Sequence, residues 1–217
     1  PFSIPDGYEI RKRTNAFDLY QGQQAKRSLK GSILLIPVEE WTPNLSPLRM
    51  LGENKQFVFH LSSPCEGGPC SEKDLKQETK LRSEFRIKKQ DLPMISAQSF
   101  TFHFFPDNLP QKMASDVSRD LLEIESPKKT FYISFERIKG SPDEPWKWKQ
   151  HSPKENYDIG PFQWYAYTAH TKAMNQTNFV TQFSQDSILV ITVIENAMIK
   201  KSIMPKVYRA MRTLRRL

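Results

Sequence analysis

The strongest hydrophobic pattern of the chain lies in residues 187–199, where apolar and β-branched side chains occupy consecutive positions. Ile188 and Val190 would point to one face of a strand, and Leu189 and Ile191 would point to the other. A strand that is apolar on both faces is typical of the interior of a covered sheet. We therefore predict a central strand here. A short buried helix is the alternative, and the density of β-branched residues argues against it.

Shorter segments that are mostly apolar, or in which apolar and polar residues alternate, predict further strands, bounded by proline-rich or polar stretches. These segments are residues 32–38, 56–61, 84–88, 99–105, 130–138 and 161–168. Pro37 lies inside the first segment, which indicates an edge strand or an early end. The pattern predicts a mainly β or α+β fold, with an antiparallel β-sandwich or covered sheet of about seven strands, one or two internal helices and a basic C-terminal helix.

Two internal segments show helical spacing instead. Residues 111–124 place four apolar side chains on one stripe, which predicts a helix covering one face of the sheet: Met113, Val117, Leu121 and Ile124. Residues 71–83 are highly charged apart from Leu75 and Leu81, so they predict a solvent-exposed helix at most.

The C-terminal residues 205–217 form the clearest amphipathic pattern. Pro205 suits the first position of a helix, because its fixed φ matches and its missing N–H is not needed there. One arc of the helical wheel is apolar and consists of Val207, Ala210, Met211, Leu214 and Leu217. The opposite arc carries Arg209, Arg212, Arg215 and Arg216. We predict that the apolar stripe docks on the body, a neighbouring subunit or a membrane, with the arginines outward in a row. A solvated helix end whose cations follow the helix dipole is the alternative.

Positive charge is concentrated at the two ends of the chain. The formal net charge is +8, and residues 200–217 supply seven cations without any acid. A second basic region spans residues 11–30. We predict a basic, partly flexible N-terminal arm (1–31), a single β-rich domain (32–199) and a basic amphipathic helix (200–217). Basic ends on a nearly neutral body indicate binding to nucleic acid or to an anionic membrane surface.

The segment Trp146–Lys149 alternates aromatic and cationic side chains, which can stack on bases while they neutralise phosphates. A loop folded back so that the tryptophans cover the end of the sheet is an equally good interpretation. The full set of residues predicted to contact the polyanion is Arg11, Lys12, Arg13, Lys26, Arg27, Lys30, Trp146, Lys147, Trp148, Lys149, Lys200, Lys201, Lys206, Arg209, Arg212, Arg215 and Arg216.

Enzyme chemistry has little support in the sequence. Cys65 and Cys70 are the only cysteines and His60 is the only nearby histidine, so a zinc site would lack ligands, whereas reduced thiols or a local disulfide both remain open. With eight glycines, the chain has little material for phosphate-cradling loops. We predict no catalytic residues, no metal and no cofactor. An enzyme that uses His60 and His103 is the third-ranked alternative.

No segment resembles a signal peptide or a membrane-spanning helix, so we expect an intracellular protein, in the cytoplasm, the nucleus or a virion. The function that the sequence favours is a non-enzymatic nucleic-acid-binding or assembly protein, with RNA and copies of itself as partners. Viral capsid, matrix and movement proteins are one candidate class. A peripheral membrane or matrix-type interaction protein is the first alternative.

Overall fold

The structure is a computed structural model, and it describes residues 2–4, 6–21, 28–44, 50–63, 65, 69–87, 94–104, 112–116, 119–126, 128–141, 155–199 and 202–217. These residues are mostly β-strands in antiparallel sheets, with two α-helices. The predicted β-rich fold class is confirmed. The contacts group the chain into two compact units, the first formed by residues 1–41 and 45–91 and the second by residues 42–44 and 92–217. The predicted domain boundaries stay predictions.

The first unit contains seven strands and one helix among its described residues. In chain order they are β1 (Phe2–Ser3), β2 (Glu9–Lys12), β3 (Ala16–Gln21), β4 (Ser28–Pro37), β5 (Met50–Glu53), β6 (Phe57–Ser62), α1 (Glu72–Glu84) and β7 (Arg86–Ile87). Five strands form an antiparallel sheet in the order β2-β3-β4-β6-β5, and β1 pairs with β7. Because β4 lies inside the sheet, Pro37 marks the end of a strand and not a sheet edge.

The described part of residues 1–31, predicted as a partly flexible arm, contains β1, β2 and β3, and Leu19 is fully buried in a cluster with Ile33 and Phe59. Asp18 is buried beside it, and its carboxylate accepts hydrogen bonds from Arg13 (2.7 Å) and Ser32 (2.6 Å). The buried carboxylate of Asp18 is therefore satisfied inside the sheet, which composition alone does not reveal.

The second unit contains ten strands and one helix among its described residues. They are β8 (Met94–Ser96), β9 (Phe100–His103), β10 (Lys112–Asp116), β11 (Leu121–Glu125), β12 (Phe131–Lys139), β13 (Glu155–Ile159), β14 (Phe162–His170), β15 (Met174–Ser184), β16 (Ser187–Asn196), α2 (Met204–Thr213) and β17 (Arg215–Arg216). Seven strands form a sheet in the order β10-β11-β12-β16-β15-β14-β13, and a smaller sheet has the order β17-β9-β8.

Strand β16 is the middle strand of the large sheet, as its two-sided apolar pattern predicts. It pairs with β12 on one side and with β15 on the other. Ile188, Leu189 and Ile191 are fully buried, so both faces are covered.

The helix predicted over residues 111–124 is wrong. This segment instead contains the antiparallel pair β10 and β11, in which Met113 lies opposite Ile124. Asp120 precedes β11 with a φ of 49°, a left-handed conformation that interrupts a right-handed helix. Leu122 and Ile124 are buried at the two-residue spacing of a strand. Sheet pairing has overridden a helical spacing that rests on four residues.

The remaining predicted elements agree with the structure. The charged segment 71–83 forms α1, and β6, β9, β12 and β14 lie where strands are expected. The strand expected over residues 84–88 is reduced to β7, because α1 continues to Glu84. Within the part of the chain that the structure describes, no helix is long and apolar enough to cross a membrane.

Candidate functional site

The C-terminal helix forms but is shorter than predicted, over Met204–Thr213 instead of residues 205–217, and its arginines do not lie in an outward row. Val207 and Met211 are fully buried, as predicted for the apolar stripe, whereas Leu217, which was predicted in the same stripe, lies beyond the helix and is 71% exposed. Arg209 and Arg212 are only 4% and 7% exposed, so the predicted row of four exposed arginines is wrong. Helix α2 ends at Thr213 and packs against both β9 and β13.

The start of α2 is held by a carboxylate from the central strand. Glu195, near the end of β16, accepts a hydrogen bond of 2.5 Å from the backbone N–H of Ile203 and one of 2.9 Å from the hydroxyl of Ser202. A carboxylate at a helix N-terminus satisfies an otherwise unpaired donor and favours the helix dipole. Helix α2 is thereby fixed relative to the large sheet.

Directly after α2, the chain becomes the short strand β17. Arg215 lies opposite Thr101 and Arg216 lies opposite Phe100 in β9, and the N–H of Leu217 donates to the carbonyl of Ser99 at 2.9 Å. Successive side chains of a strand point to opposite faces, so the two arginines diverge. Both are exposed.

The side chain of Arg216 lies against two phenylalanine rings. Its guanidinium carbon is 5.4 Å from the ring centroid of Phe162 and 5.3 Å from that of Phe183. Arg137 approaches Phe183 as well, at 5.7 Å. These are cation–π distances. We call these four residues, Arg137, Phe162, Phe183 and Arg216, the arginine–phenylalanine ridge.

Two clefts adjoin the ridge. The first has a volume of about 340 Å³, and its lining combines Arg216 with neutral residues: Ser141, Pro161, Phe162, Gln163, Tyr165, Thr181 and Gln182. The second has a volume of about 400 Å³ and a charged lining: Gln98, Ser99, Arg119, Asp120, Arg137, Ile138, Lys139, Asp186, Ser187 and Leu217. The first cleft therefore combines one positively charged side chain, that of Arg216, with neutral hydrogen-bonding groups.

Most charged side chains of the second cleft have an oppositely charged or hydrogen-bonding partner in the protein. Arg119 is 2.7 Å from Glu136, and Arg137 donates to the hydroxyl of Ser187 and lies 3.9 Å from Asp120. A hydrogen bond from Ser184 lowers the pKa of Asp186, and the nearby cations Arg137 and Lys139 contribute to that shift.

Arg216 differs from these groups. Within the described residues, no carboxylate lies within ion-pair distance of its guanidinium, which lies against the two aromatic rings. Its donors therefore remain available for an anionic ligand.

The other predicted contact residues are distributed differently. In the first unit, Arg13 bonds to Asp18, Lys30 is 3.9 Å from Asp74, and Arg11 is 3.8 Å from Glu9, while Lys12 is exposed. Lys206 is half-buried on α2. The remaining predicted residues lie outside the described part of the chain: Lys26, Arg27, Trp146, Lys147, Trp148, Lys149, Lys200 and Lys201.

Sequence reasoning missed Arg137, Phe162 and Phe183 as site residues. Phe162 and Arg137 belong to predicted strands. The pattern of a strand predicts which face a side chain points to, but it does not predict which residue of another strand that side chain contacts. The three residues meet only because the sheet order brings the ends of β12, β14 and β15 together. Arg216, next to the last residue of the sequence, was predicted as a contact but in a helical row.

The structure also describes the residues of two other sites considered in the sequence analysis, the cysteine pair and the histidine pair. Cys65 and Cys70 form a disulfide, so these sulfurs are not a pair of zinc-ligating thiolates. No group of three metal-ligating side chains occurs among the described residues. His60 lies in β6 of the first unit, and His103 lies in β9 of the second. The two histidines of the enzyme hypothesis therefore belong to different units.

No known protein family matches this chain, and no curated protein shows a significant match. Among solved structures, the chain is similar to a crystal structure at 1.50 Å resolution of a protein from Bacteroides thetaiotaomicron VPI-5482, with a TM-score of 0.44 and 11% sequence identity. The similarity covers 59% of this chain and 49% of that protein, so the chain spans about half of the length of the protein it matches.

Proposed function

We propose that this protein is a non-enzymatic nucleic-acid-binding protein that holds RNA at the arginine–phenylalanine ridge. The observation that carries the proposal is the exposed guanidinium of Arg216, which lies on Phe162 and Phe183 and has no carboxylate partner among the described residues. An arginine held in this way offers a planar set of donors to a phosphate without first having to break an ion pair.

Preorganisation supports this assignment. Strand pairing anchors the backbone of Arg216, and the two rings restrict its side chain, so little conformational entropy remains to be lost on binding. Arg137 also approaches the ring of Phe183, at 5.7 Å, and Lys139 lines the neighbouring cleft. Arginine beside aromatic rings is the combination that single-strand-binding proteins use for phosphates and bases.

The chain also continues from this site into the aromatic and basic segment that the sequence singles out. Ser141 lines the first cleft, and Trp146–Lys149 follow it in the sequence. The RNA contacts predicted for that segment stay a prediction. The same holds for the viral and assembly roles predicted from composition.

The test is fluorescence anisotropy with a labelled RNA at several salt concentrations. We expect wild-type affinity to fall steeply with salt, because each phosphate contact releases counterions. Arg216→Gln should weaken binding about tenfold or more, as expected for a lost hydrogen bond to a charged group, and should reduce the log–log salt slope by about 0.7 for a single strand.

Arg86→Gln is the control. Arg86 is also an exposed arginine, but its guanidinium donates to the backbone carbonyls of Ser83 and Phe85, and it is not among the predicted contact residues. We expect this variant to bind like wild type. Absence of RNA binding at low salt would refute the proposal, and binding to anionic vesicles instead would favour the peripheral membrane alternative.

A further inference from the structure

The cleft of about 340 Å³ beside Arg216 is lined by several neutral polar side chains, which binding of a phosphate alone does not require. Its size is at the lower end of the range of about 300–1,000 Å³ that is usual for small-molecule sites. Apart from Arg216, its lining is uncharged, and Phe162 and Pro161 contribute apolar surface. Such a lining suits a flat, polar ligand that carries one negative charge.

Two glutamines of this cleft have unused hydrogen-bonding atoms. Gln163 accepts only a long hydrogen bond of 3.5 Å from Tyr165, and within the described chain its amide N–H₂ group has no partner. Gln182 uses its amide N–H₂ group on the carbonyls of Ser184 and Ser187, and its amide oxygen has no partner among the described residues. The cleft therefore offers one free amide donor and one free amide acceptor.

The sheet fixes the backbone of Gln163 and the side chain of Gln182. The hydroxyl of Thr181 donates to the backbone carbonyl of Gln163 at 2.7 Å, which ties β14 to β15 at this point. The bonds of Gln182 span the irregularity in the pairing of β15 with β16, between Gln182 and Ser184. A donor and an acceptor presented at fixed backbone positions can discriminate between ligands, because a mismatched ligand leaves them unpaired.

We propose that this cleft receives one unpaired nucleotide of the bound RNA, with its phosphate at Arg216 and the edge of its base at Gln163 and Gln182. The inference rests on the proposed function and narrows it to single-stranded RNA. Bases of an unpaired strand can turn outward and expose their hydrogen-bonding edges, whereas those edges are occupied in a duplex. A duplex can still bring phosphates to Arg216, but it cannot place a base in the cleft.

The experiment compares one labelled RNA as a single strand and as a duplex, at the same salt concentration, with wild type, Gln163→Ala and Gln98→Ala. Gln98 is an exposed glutamine in the neighbouring cleft, so it controls for loss of an amide near the ridge. We expect wild type to prefer the single strand. Gln163→Ala should weaken single-strand binding about three- to tenfold, the effect of one neutral hydrogen bond, and leave duplex binding unchanged. Gln98→Ala should match wild type for both RNAs.

The possible results separate the two proposals. Equal binding of single strand and duplex, with no effect of Gln163→Ala, would overturn the nucleotide cleft and leave RNA binding at the ridge intact. Failure of both RNAs to bind at low salt would overturn both. Titration with adenosine monophosphate, followed by NMR, gives an independent readout: we expect the side-chain amide signals of Gln163 to shift in wild type, and shifts that persist unchanged in Arg216→Gln would contradict the phosphate position.

Discussion

In both units of this protein, a short strand after the helix pairs with an earlier strand, but the contacts that stabilise the two helices differ. In each unit, a helix is followed at once by a two-residue strand that pairs with an early strand of the same unit: β7 pairs with β1, and β17 pairs with β9. Each unit therefore brings the end of its helix back to its own sheet. The similarity of the two closures makes the contrast between their helices informative.

Helix α1 depends mainly on local interactions. Ser71 caps its N-terminus by accepting a hydrogen bond from the N–H of Asp74, and Glu78 pairs with Arg82 one turn later at 2.8 Å. Leu81 is its one buried residue. Helix α2 has no side-chain cap at Ile203 and instead receives Glu195 from β16, and five of its residues are buried. Local chemistry stabilises the first helix, and tertiary contacts stabilise the second.

The two units also differ in the surroundings of an exposed arginine that lies on an aromatic ring. Arg11 and Tyr20 in the first unit are accompanied by Glu9, whereas Arg216 in the second unit has aromatic neighbours only. The geometry of an arginine on an aromatic ring is thus shared, and only the second example leaves the cation available for a ligand. This difference is why the candidate site is placed in the second unit.

The largest expected effects come from removing the buried contacts of the two helices. Leu81→Ala and Met211→Ala should each lower the free energy of unfolding by about 2–5 kcal/mol, the usual cost of a cavity in a core. Leu75→Ala is the control, because Leu75 is 50% exposed and a surface change typically costs about 0.5 kcal/mol or less. Urea unfolding measures all three.

Hydrogen exchange sharpens this prediction. Because α1 has a local cap and one buried residue, whereas α2 has five buried residues and no side-chain cap of its own, Met211→Ala should speed amide exchange in α2 more than Leu81→Ala does in α1. Equal loss of protection in the two helices would contradict this contrast.

A second test compares the two helix caps. Glu195→Ala should destabilise the protein by about 1.5–3 kcal/mol, because hydrogen bonds to a charged group are lost in a buried setting. Ser71→Ala should cost about 1 kcal/mol, the typical value of an N-cap serine. Thermal unfolding with a circular-dichroism readout measures both, and an equal loss would show that the tertiary cap of α2 is no stronger than the local cap of α1.

The smallest effect concerns alkaline pH. Burial, with the carboxylates of Glu155 and Glu195, raises the pKa of Tyr208 to about 12, whereas an unfolded tyrosine ionises near pH 10. Above that pH the unfolded state loses its proton first, so the stability contributed by neutral Tyr208 is present below pH 10 and is lost as the pH rises towards 12. Tyr208→Phe should make unfolding less sensitive to pH between 10 and 12.

Tyr8 of the first unit is the comparison for this measurement. Its pKa is raised as well, by burial and by the charge of Glu84. We expect Tyr8→Phe to change the alkaline dependence less than Tyr208→Phe does. Urea unfolding at pH 9, 10 and 11 distinguishes the two variants, and identical curves for Tyr208→Phe and wild type would contradict the assignment.

Several features of the structure could be predicted from sequence because they depend on local periodicity. The two-sided apolar run of β16 has no stable place except inside a covered sheet, and Val207 and Met211 lie on the buried side of α2 because their spacing matches one helical face. Arg216 could also be recognised, as part of a basic C-terminal segment.

Other features followed from tertiary contacts that no local pattern contains. The segment around Met113 and Ile124 has a helical spacing, yet pairing between β10 and β11 and the left-handed conformation of Asp120 make it a hairpin. Arg209 is only 4% exposed although the helical wheel places it on the polar arc, and both β9 and β13 contact α2. Burial of an arginine depends on what lies across the helix, which a helical wheel does not show.

For this protein, the sequence by itself determined where seven of the seventeen described strands and both helices lie, because these properties depend on neighbours within a few residues. Only the tertiary structure decided the position of the candidate site. Arg137, Phe162, Phe183 and Arg216 come from four different strands, and they meet because strand order and the return of β17 to β9 bring distant segments to one place. Contacts between residues so far apart in sequence are set by the sheet topology, and no period in the sequence encodes that topology.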